Sequence, residues 1–230
     1  MNETIPLRDQ NPTSTPPHVT RTIIIINVIV FLLTWLPIFS SPEEIIPDYI
    51  LDYGMIPAFI MQGQRLHTIF TSMFLHGGIA HIAGNMLYLH IFGDNVEDAF
   101  GHKKYLAFYL VCGIVAAFTH ILTTIDPYIP TVGASGAISG VLGAYIVLYP
   151  GARILTLVFF RWITIIAVPA IFLLGFWFIF QLLEGYLTLA FEVPSGTAYW
   201  AHIGGFVAGM AVAFILREEK KKKVTETYRI

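Results

Sequence analysis

The fold of this chain is decided by the stretch Gly133-Ala134-Ser135-Gly136-Ala137-Ile138-Ser139-Gly140-Val141-Leu142-Gly143. Its glycines recur at intervals of three, four and three residues, so on a helix they form one stripe. Such a stripe lets a neighbouring helix approach closely, which is how helices pack where lipid rather than water surrounds them. The stretch therefore predicts a central helix of a membrane bundle, with Ser135 near its start.

The composition of the whole chain agrees with a membrane location. Of the 230 residues, 56% are hydrophobic and only 12% are charged, whereas a soluble domain carries about 25% charged residues. The fold class predicted is therefore an all-α polytopic membrane protein. The net charge of −2 gives no support for nucleic-acid binding. Cys112 is the only cysteine, which excludes an intrachain disulfide and a cysteine metal cluster.

Six apolar segments long enough to cross a bilayer are separated by short polar connections. They lie at about residues 22–40, 74–89, 105–122, 132–149, 167–187 and 198–216. Residues 21–217 are thus expected to form one six-span domain, with a basic tail at 218–230.

The segments between and before the spans have their own patterns. Residues 1–20 have no apolar core, which argues against a cleaved signal peptide and predicts a disordered tail. Residues 53–61 are apolar but too short to span, so they are expected in the membrane interface. Residues 93–104 read as a polar turn, and 151–166 as an interfacial or re-entrant connector.

The positive charges predict the orientation. With six spans, twelve of the thirteen lysines and arginines fall on one side, all except Arg65. The positive-inside rule places that side, with both termini, in the cytoplasm of a cell (inner) membrane. Ser135, His81 and His202 then lie near the outer ends of their spans, at about one depth.

Ser135 has two readings. It could be a small residue that permits tight packing, which is common between membrane helices. It could instead be a nucleophile at a helix start, where free backbone N–H groups and the helix dipole can stabilise an oxyanion. Gly133 and Gly136 beside it would let a substrate backbone approach.

The intramembrane histidines also have two readings. His202 shares a helix face with Gly205 and Gly209, so its helix can approach the glycine stripe; it is either a general base or a core histidine bonded to a carbonyl. His81 and Asn85 lie four residues apart on one face and are either oxyanion donors or polar contacts between helices.

The positions of the carboxylates favour a dyad of serine and histidine over a triad with a third, acidic residue. Among the carboxylates only Glu184 lies within a span, and it is near an end where it can reach the interface. His76 precedes the second span and is expected to hold a loop through a hydrogen bond.

Taken together, these residues resemble one family. Gly133-Ala134-Ser135-Gly136 resembles the Gly-x-Ser-Gly motif of the rhomboid intramembrane serine proteases. The spacing of His76, His81 and Asn85 is similar to that family's His-x4-His-x3-Asn pattern. Ala201-His202-Ile203-Gly204-Gly205 with Gly209 resembles its Ala-His-x-Gly-Gly-x3-Gly motif.

The resemblance implies a six-helix rhomboid-like bundle that hydrolyses peptide bonds in or near the transmembrane segments of membrane-protein substrates, without a cofactor or metal. It implies Ser135 as nucleophile and His202 as general base. It also implies an oxyanion site formed by His81, Asn85 and the N–H of Ser135, with substrate cut near the outer end of its span.

The sequence departs from the family pattern at two positions. Gln64 stands where a Trp-Arg pair would have its tryptophan, before Arg65. Ser139 stands where many members have an aromatic residue that stacks on the histidine. Ser139 could hydrogen-bond His202 in its place, or compete as a nucleophile.

Three other functions stay open. A catalytically inactive relative that binds or chaperones membrane proteins would usually have lost Ser135 or His202, and both are present. A small transporter would more often show an inverted repeat. A zinc protease would need a His-Glu-x-x-His motif, which is absent, although His76, His81 and His202 could together bind zinc.

Overall fold

The computed structural model describes residues 4–35, 48–159, 163–192 and 195–227, with side chains described as far as Arg217. The described part is mostly helical. Its long helices are α1 (His18–Trp35), α5 (Ile79–Phe100), α6 (His102–Thr123), α7 (Ser135–Leu148), α8 (Ala170–Phe191) and α9 (Tyr199–Thr227). Three short helices lie between α1 and α5: α2 (Asp48–Tyr53), α3 (Pro57–Met61) and α4 (Thr68–Thr71). The strands are β1 (Thr4–Asp9), β2 (Arg153–Phe159) and β3 (Ile163–Pro169).

Four of the described helices are long and apolar enough to cross a membrane. They are α1, α6, α8 and the Tyr199–Arg217 part of α9. The polytopic helical fold predicted from composition is therefore confirmed. Helix α7 is apolar but has only 14 residues, and α5 carries three carboxylates in its last two turns. The six-span count stays a prediction. The end of the first predicted span, at 36–40, and the start of the following loop, at 41–47, lie outside the described residues.

Helix α7 is the centre of the bundle, and its glycines bring it against α9. A Cβ added at Gly205 would lie 2.0 Å from the carbonyl oxygen of Gly136, and one at Gly209 would lie 1.9 Å from that of Gly140. The two backbones are thus in direct contact at successive turns, as the glycine spacing predicts. From Ala137 to Val147 every residue of α7 is buried.

A three-stranded antiparallel sheet, which the sequence analysis did not predict, accompanies the helices. Strands β2 and β3 form a hairpin in which Arg153 pairs with Pro169 and Phe159 with Ile163. Residues 151–166, expected as an interfacial or re-entrant connector, are therefore largely a β-hairpin. The physical reason is the composition of these strands, because β-branched side chains favour extended backbone.

Strand β1 corrects the prediction of a disordered tail over residues 1–20. It pairs with the outer edge of β2, from Thr4 opposite Val158 to Asp9 opposite Ile154. This edge would otherwise expose unpaired backbone groups. The tail is polar, but its order comes from backbone pairing and side-chain hydrogen bonds rather than from an apolar core.

Carboxylates at the end of α5 hold the N-terminal segment in place. Glu97 is fully buried and accepts hydrogen bonds from the backbone N–H groups of Val19 and Thr20, each at 2.8 Å. It thereby satisfies two free donors at the start of α1. Asp98 accepts hydrogen bonds from the backbone N–H groups of Ser14 and Thr15.

These contacts also explain why the prediction of a polar turn over residues 93–104 is wrong. Helix α5 continues to Phe100, and its carboxylates accept hydrogen bonds from the N-terminal segment. Gly101, at φ 78°, then separates α5 from α6. Such a backbone angle favours glycine.

The segment before α5 packs onto the loop that leads into α7. Met55 and Thr131 exchange backbone hydrogen bonds at 3.0 and 2.8 Å, and the N–H of Ala58 donates to the carbonyl of Pro127 at 2.9 Å. Met55, Ile56, Ala58 and Ile60 are buried within the protein. Much of the patch at 53–61, expected in the membrane interface, thus packs against protein.

Candidate active site

The hydroxyl of Ser135 and the imidazole of His202 meet at one end of the bundle. Ser135 is the first residue of α7, and His202 lies in the first turn of α9. The Ser135 Oγ and the His202 Nε2 are 2.9 Å apart, which is within hydrogen-bond range. The glycine contact between α7 and α9 brings these two residues, 67 positions apart in sequence, together.

The far side of the His202 ring has its own partners on α8. His202 Nδ1 lies 2.8 Å from Gln181 Oε1. The Trp177 ring lies 5.9 Å from that of His202, inclined by 31°. Trp177 and Gln181 are four residues apart and therefore share a face of α8.

Ser139 does not contact His202, so the hypothesis that it hydrogen-bonds the histidine is wrong. Its Oγ donates to the carbonyl oxygen of Ser135 at 2.7 Å, a bond one helical turn back that serine often makes within a helix. Ser139 is also buried, at 2% exposure. Among the described residues, its hydroxyl is bonded to this backbone carbonyl and makes no hydrogen bond to a base.

The start of α7 offers free backbone donors. The first bond of the helix runs from the N–H of Ile138 to the carbonyl of Ala134, at 3.0 Å. The N–H groups before it cannot bond within the helix. They lie beside the Ser135 hydroxyl, at the positive end of the helix dipole.

Gly133 joins this helix start to α5. Its φ of +128° favours glycine. A Cβ at this position would lie 2.7 Å from His81 Nε2 and 3.7 Å from Asn85 Nδ2. The histidine and the amide thus lie beside the chain two residues before Ser135.

Both α5 side chains can donate hydrogen bonds here. The N–H of Gly77 points to His81 Nδ1 at 3.4 Å, which leaves the proton of a neutral imidazole on Nε2. Asn85 Nδ2 is buried and has no hydrogen-bond partner among the described residues. A buried amide donor without a hydrogen-bond partner is costly, so this donor calls for an acceptor that arrives with a ligand or water.

His76 has a packing contact in place of the expected loop-holding hydrogen bond. The ring is fully buried and meets the His81 ring edge-on, with centroids 5.0 Å apart. Neither of its ring nitrogens has a hydrogen-bond partner within the described part of the chain. His76 thus packs against His81.

One cavity of about 1010 Å³ connects these groups. Ser135, His81 and His202, which the charge pattern predicts near one depth, all line it, and so does Asn85. The loop before α7 forms another part of its wall. In the described residues no three His, Cys, Asp or Glu side chains are close enough to hold a metal ion together.

Two residues that line the cavity, Trp177 and His120, were not assigned to the site from the sequence, and neither was Gln181, which bonds His202. His120 Nε2 lies 2.9 Å from the hydroxyl of Thr131 in the cavity wall. A signal for Gln181 did exist, because a strongly polar residue within an apolar span is a functional candidate by default.

Comparison with known proteins gives a consistent result. The profile of the Rhomboid domain matches residues 63–219. RHOMBOID-like protein 6, mitochondrial, of Arabidopsis thaliana is 32% identical over 157 residues, which is 68% of this chain and 46% of the relative. Rhomboid protease GluP of Bacillus subtilis is 36% identical over 158 residues, 68% of this chain and 27% of the relative. The chain thus spans less than half the length of these relatives.

Proposed function

This chain belongs to the rhomboid family, and on that premise we propose that it is an intramembrane serine endopeptidase. It cleaves transmembrane segments of membrane proteins near their outer ends through a dyad of Ser135 and His202. The observation that carries the proposal is the 2.9 Å contact between Ser135 Oγ and His202 Nε2 inside a cavity. The relative named as a protease adds support.

The proposed reaction is acyl transfer to the serine. His202 Nε2 takes the hydroxyl proton as Ser135 Oγ attacks the scissile carbonyl carbon. The tetrahedral intermediate collapses, its C–N bond breaks, and the imidazolium gives the proton to the leaving amine. A water molecule then attacks the ester, with His202 again as base, and releases the new carboxyl end.

The negative charge on the intermediate needs donors that are already in place. The proposed set is the Nε2–H of His81, the Nδ2–H of Asn85 and the backbone N–H of Ser135. Removing one donor of this kind typically raises the barrier by about 2.7–4 kcal/mol. The free amide of Asn85 supports this assignment.

A substrate helix must unwind locally, because its carbonyl and N–H groups are bonded to one another in a helix. We therefore propose that this protein prefers segments with small or helix-breaking residues near their outer ends. Equal cleavage of an uninterrupted leucine-rich segment would contradict this preference.

Cleavage in reconstituted membranes tests the function. The assay uses a model single-span substrate with the wild type, Ser135→Ala, His202→Ala and Ser139→Ala. We expect the first two variants to be inactive and the third to retain cleavage. Cleavage by Ser135→Ala would exclude this nucleophile. A wild type that cuts none of several substrates would favour the inactive, binding-protein alternative, and activity that survives a strong chelator would exclude zinc.

The proposed orientation has its own test. The protein is a membrane protein, and we place it in the cell inner membrane with both termini in the cytoplasm. Lys103 is exposed near the start of α6, and Tyr128 is exposed in the loop that follows the other end of this helix. A membrane-impermeant maleimide added outside cells should label Tyr128→Cys but not Lys103→Cys, and the reverse pattern would refute the orientation.

A further inference from the structure

The hydrogen bond between His202 and Gln181 lies on the side of the ring away from Ser135. His202 Nδ1 and Gln181 Oε1 are 2.8 Å apart, and the two residues belong to different helices. Gln181 is 95% buried, since only 5% of its surface is exposed. Burying the polar amide of Gln181 inside an apolar bundle costs free energy of desolvation. Its hydrogen bond to His202 offsets this cost.

The protonation pattern of the ring makes this contact important. A neutral imidazole has one nitrogen that donates and one that accepts. To accept the hydroxyl proton of Ser135, Nε2 must be the acceptor, and the proton must be on Nδ1. A carbonyl oxygen at Nδ1 selects that arrangement because it can only accept.

Other neighbours of the ring do not supply this selection. Trp177 contacts His202 through its ring face, and the Ser139 hydroxyl is occupied by the Ser135 carbonyl. Within the described residues, no carboxylate forms a hydrogen bond or ion pair with His202. In a catalytic triad a buried aspartate holds the histidine in the correct tautomer. Here the neutral amide of Gln181 stands in that position.

The packing of α8 against α9 fixes the amide in place. Trp177 and Phe178 both contact the Phe206 ring, at 5.9 and 4.5 Å between centroids. One turn beyond Gln181, the indole N–H of Trp200 donates to the carbonyl of Gly185 at 3.1 Å. Gln181 is thus held between two fixed contacts along the same helix face.

We propose that Gln181 is a positioning residue that keeps the proton of His202 on Nδ1 and its Nε2 free to accept the serine proton. This inference rests on the proposed protease function. It makes the site a dyad supported by an amide and explains how the histidine is oriented although position 139 is a serine.

Kinetics of two Gln181 variants test the role. Gln181→Met keeps the length of the side chain and removes the acceptor, so we expect kcat to fall about 10- to 100-fold with little change in KM. Gln181→Glu keeps an acceptor and adds a negative charge that favours the imidazolium. Its kcat/KM should recover relative to the methionine variant, and the acid limb of its pH profile should move to higher pH by about one unit or more.

The matched control is Leu183→Met on the same helix, where the side chain is 52% exposed and faces away from His202. It should cleave like the wild type. A Gln181→Met enzyme with wild-type kcat and pH profile would overturn the inference. If that variant does not fold, Gln181→Glu decides alone, and a wild-type pH profile in it would also overturn the inference.

A second measurement separates this inference from the proposed function. Nitrogen-15 NMR of histidine-labelled protein, with His202 assigned by the signal lost in His202→Ala, reports which ring nitrogen carries the proton. We expect the proton on Nδ1 in the wild type and a mixture of tautomers in Gln181→Met. A wild type that cuts nothing but shows this change would refute the protease proposal alone, and an unchanged tautomer would refute the role of Gln181.

Discussion

Replacing Gly209 by alanine tests the central contact of the bundle. Gly209 lies on α9 against Gly140 of α7, and the added Cβ would be 1.9 Å from the carbonyl oxygen and 2.6 Å from the carbonyl carbon of Gly140. Both atoms belong to the backbone of a buried helix. No side-chain rotation can relieve the overlap, so the two helices must separate.

The size of the separation follows from ordinary contact distances. A Cβ in van der Waals contact lies at about 3.4 Å, so the helices must move apart by about 1.5 Å at this pair. If Ser135 and His202 follow the same displacement, their 2.9 Å contact lengthens to roughly 4.4 Å. Overpacking of this kind costs about 1–3 kcal/mol or more, and a 1 Å error in the position of reacting groups costs about 100-fold in rate.

Two measurements on purified protein check both consequences. Thermal unfolding in detergent should show a Tm lowered by roughly 2–12 °C. Cleavage of a single-span substrate in liposomes, at a temperature where the variant is folded, should fall about 100-fold or more. The matched control is Gly175→Ala on α8, where an added Cβ meets nothing within 4 Å, and we expect it to be neutral or slightly stabilising.

The reasoning is refuted if Gly209→Ala cleaves and unfolds like the wild type. That result would mean that α7 and α9 are farther apart than the contact of Gly209 and Gly140 requires. A loss of stability without a loss of rate in the folded variant would mean that the dyad does not depend on this contact.

Three further predictions concern the oxyanion donors and the N-terminal segment. Asn85→Ala should lower kcat about 10²- to 10³-fold with little change in Tm, because Nδ2 has no partner in the described chain; unchanged kinetics would exclude it as a donor. Glu97→Gln should cost about 1–3 kcal/mol of stability, measured by thermal unfolding, since the carboxylate accepts from Val19 and Thr20; an unchanged Tm would contradict this. Burial raises the pKa of Asp9 above its ordinary value of 3.8, so the contribution of Asp9 to the order of β1 is fully present below that pH and is lost as the pH rises through the raised pKa. Amide protection factors of β1 in wild type and Asp9→Asn check this, and the same pH dependence in both proteins would refute it.

Much of the site followed from residue types and spacing. Glycines at intervals of three and four predict a close helix pair wherever lipid surrounds the chain, and α7 with α9 is that pair. His81 and Asn85, four residues apart, had to share a face of one helix. The charge distribution along the chain placed the polar residues near one depth, and the structure gathers them around one cavity.

The errors in the sequence analysis came from partners distant in sequence. The N-terminal residues looked disordered because no local pattern shows that β1 pairs with β2, about 150 residues further along. Helix α5 was ended too early because its carboxylates looked like a solvated turn. The hypothesis that Ser139 hydrogen-bonds His202 failed for a local reason, because the carbonyl of Ser135, one helical turn back, accepts from its hydroxyl.

The sequence alone determined that the chain spans a membrane, which helices approach most closely, and which hydroxyl and imidazole are candidates for chemistry. These properties depend on composition and on spacing within single helices. Only the tertiary structure decided that Gln181 faces His202 and that Asn85 Nδ2 has no hydrogen-bond partner among the described residues. The rotation of one helix against another sets such contacts, and that rotation is fixed by the packing of the whole bundle rather than by any local pattern.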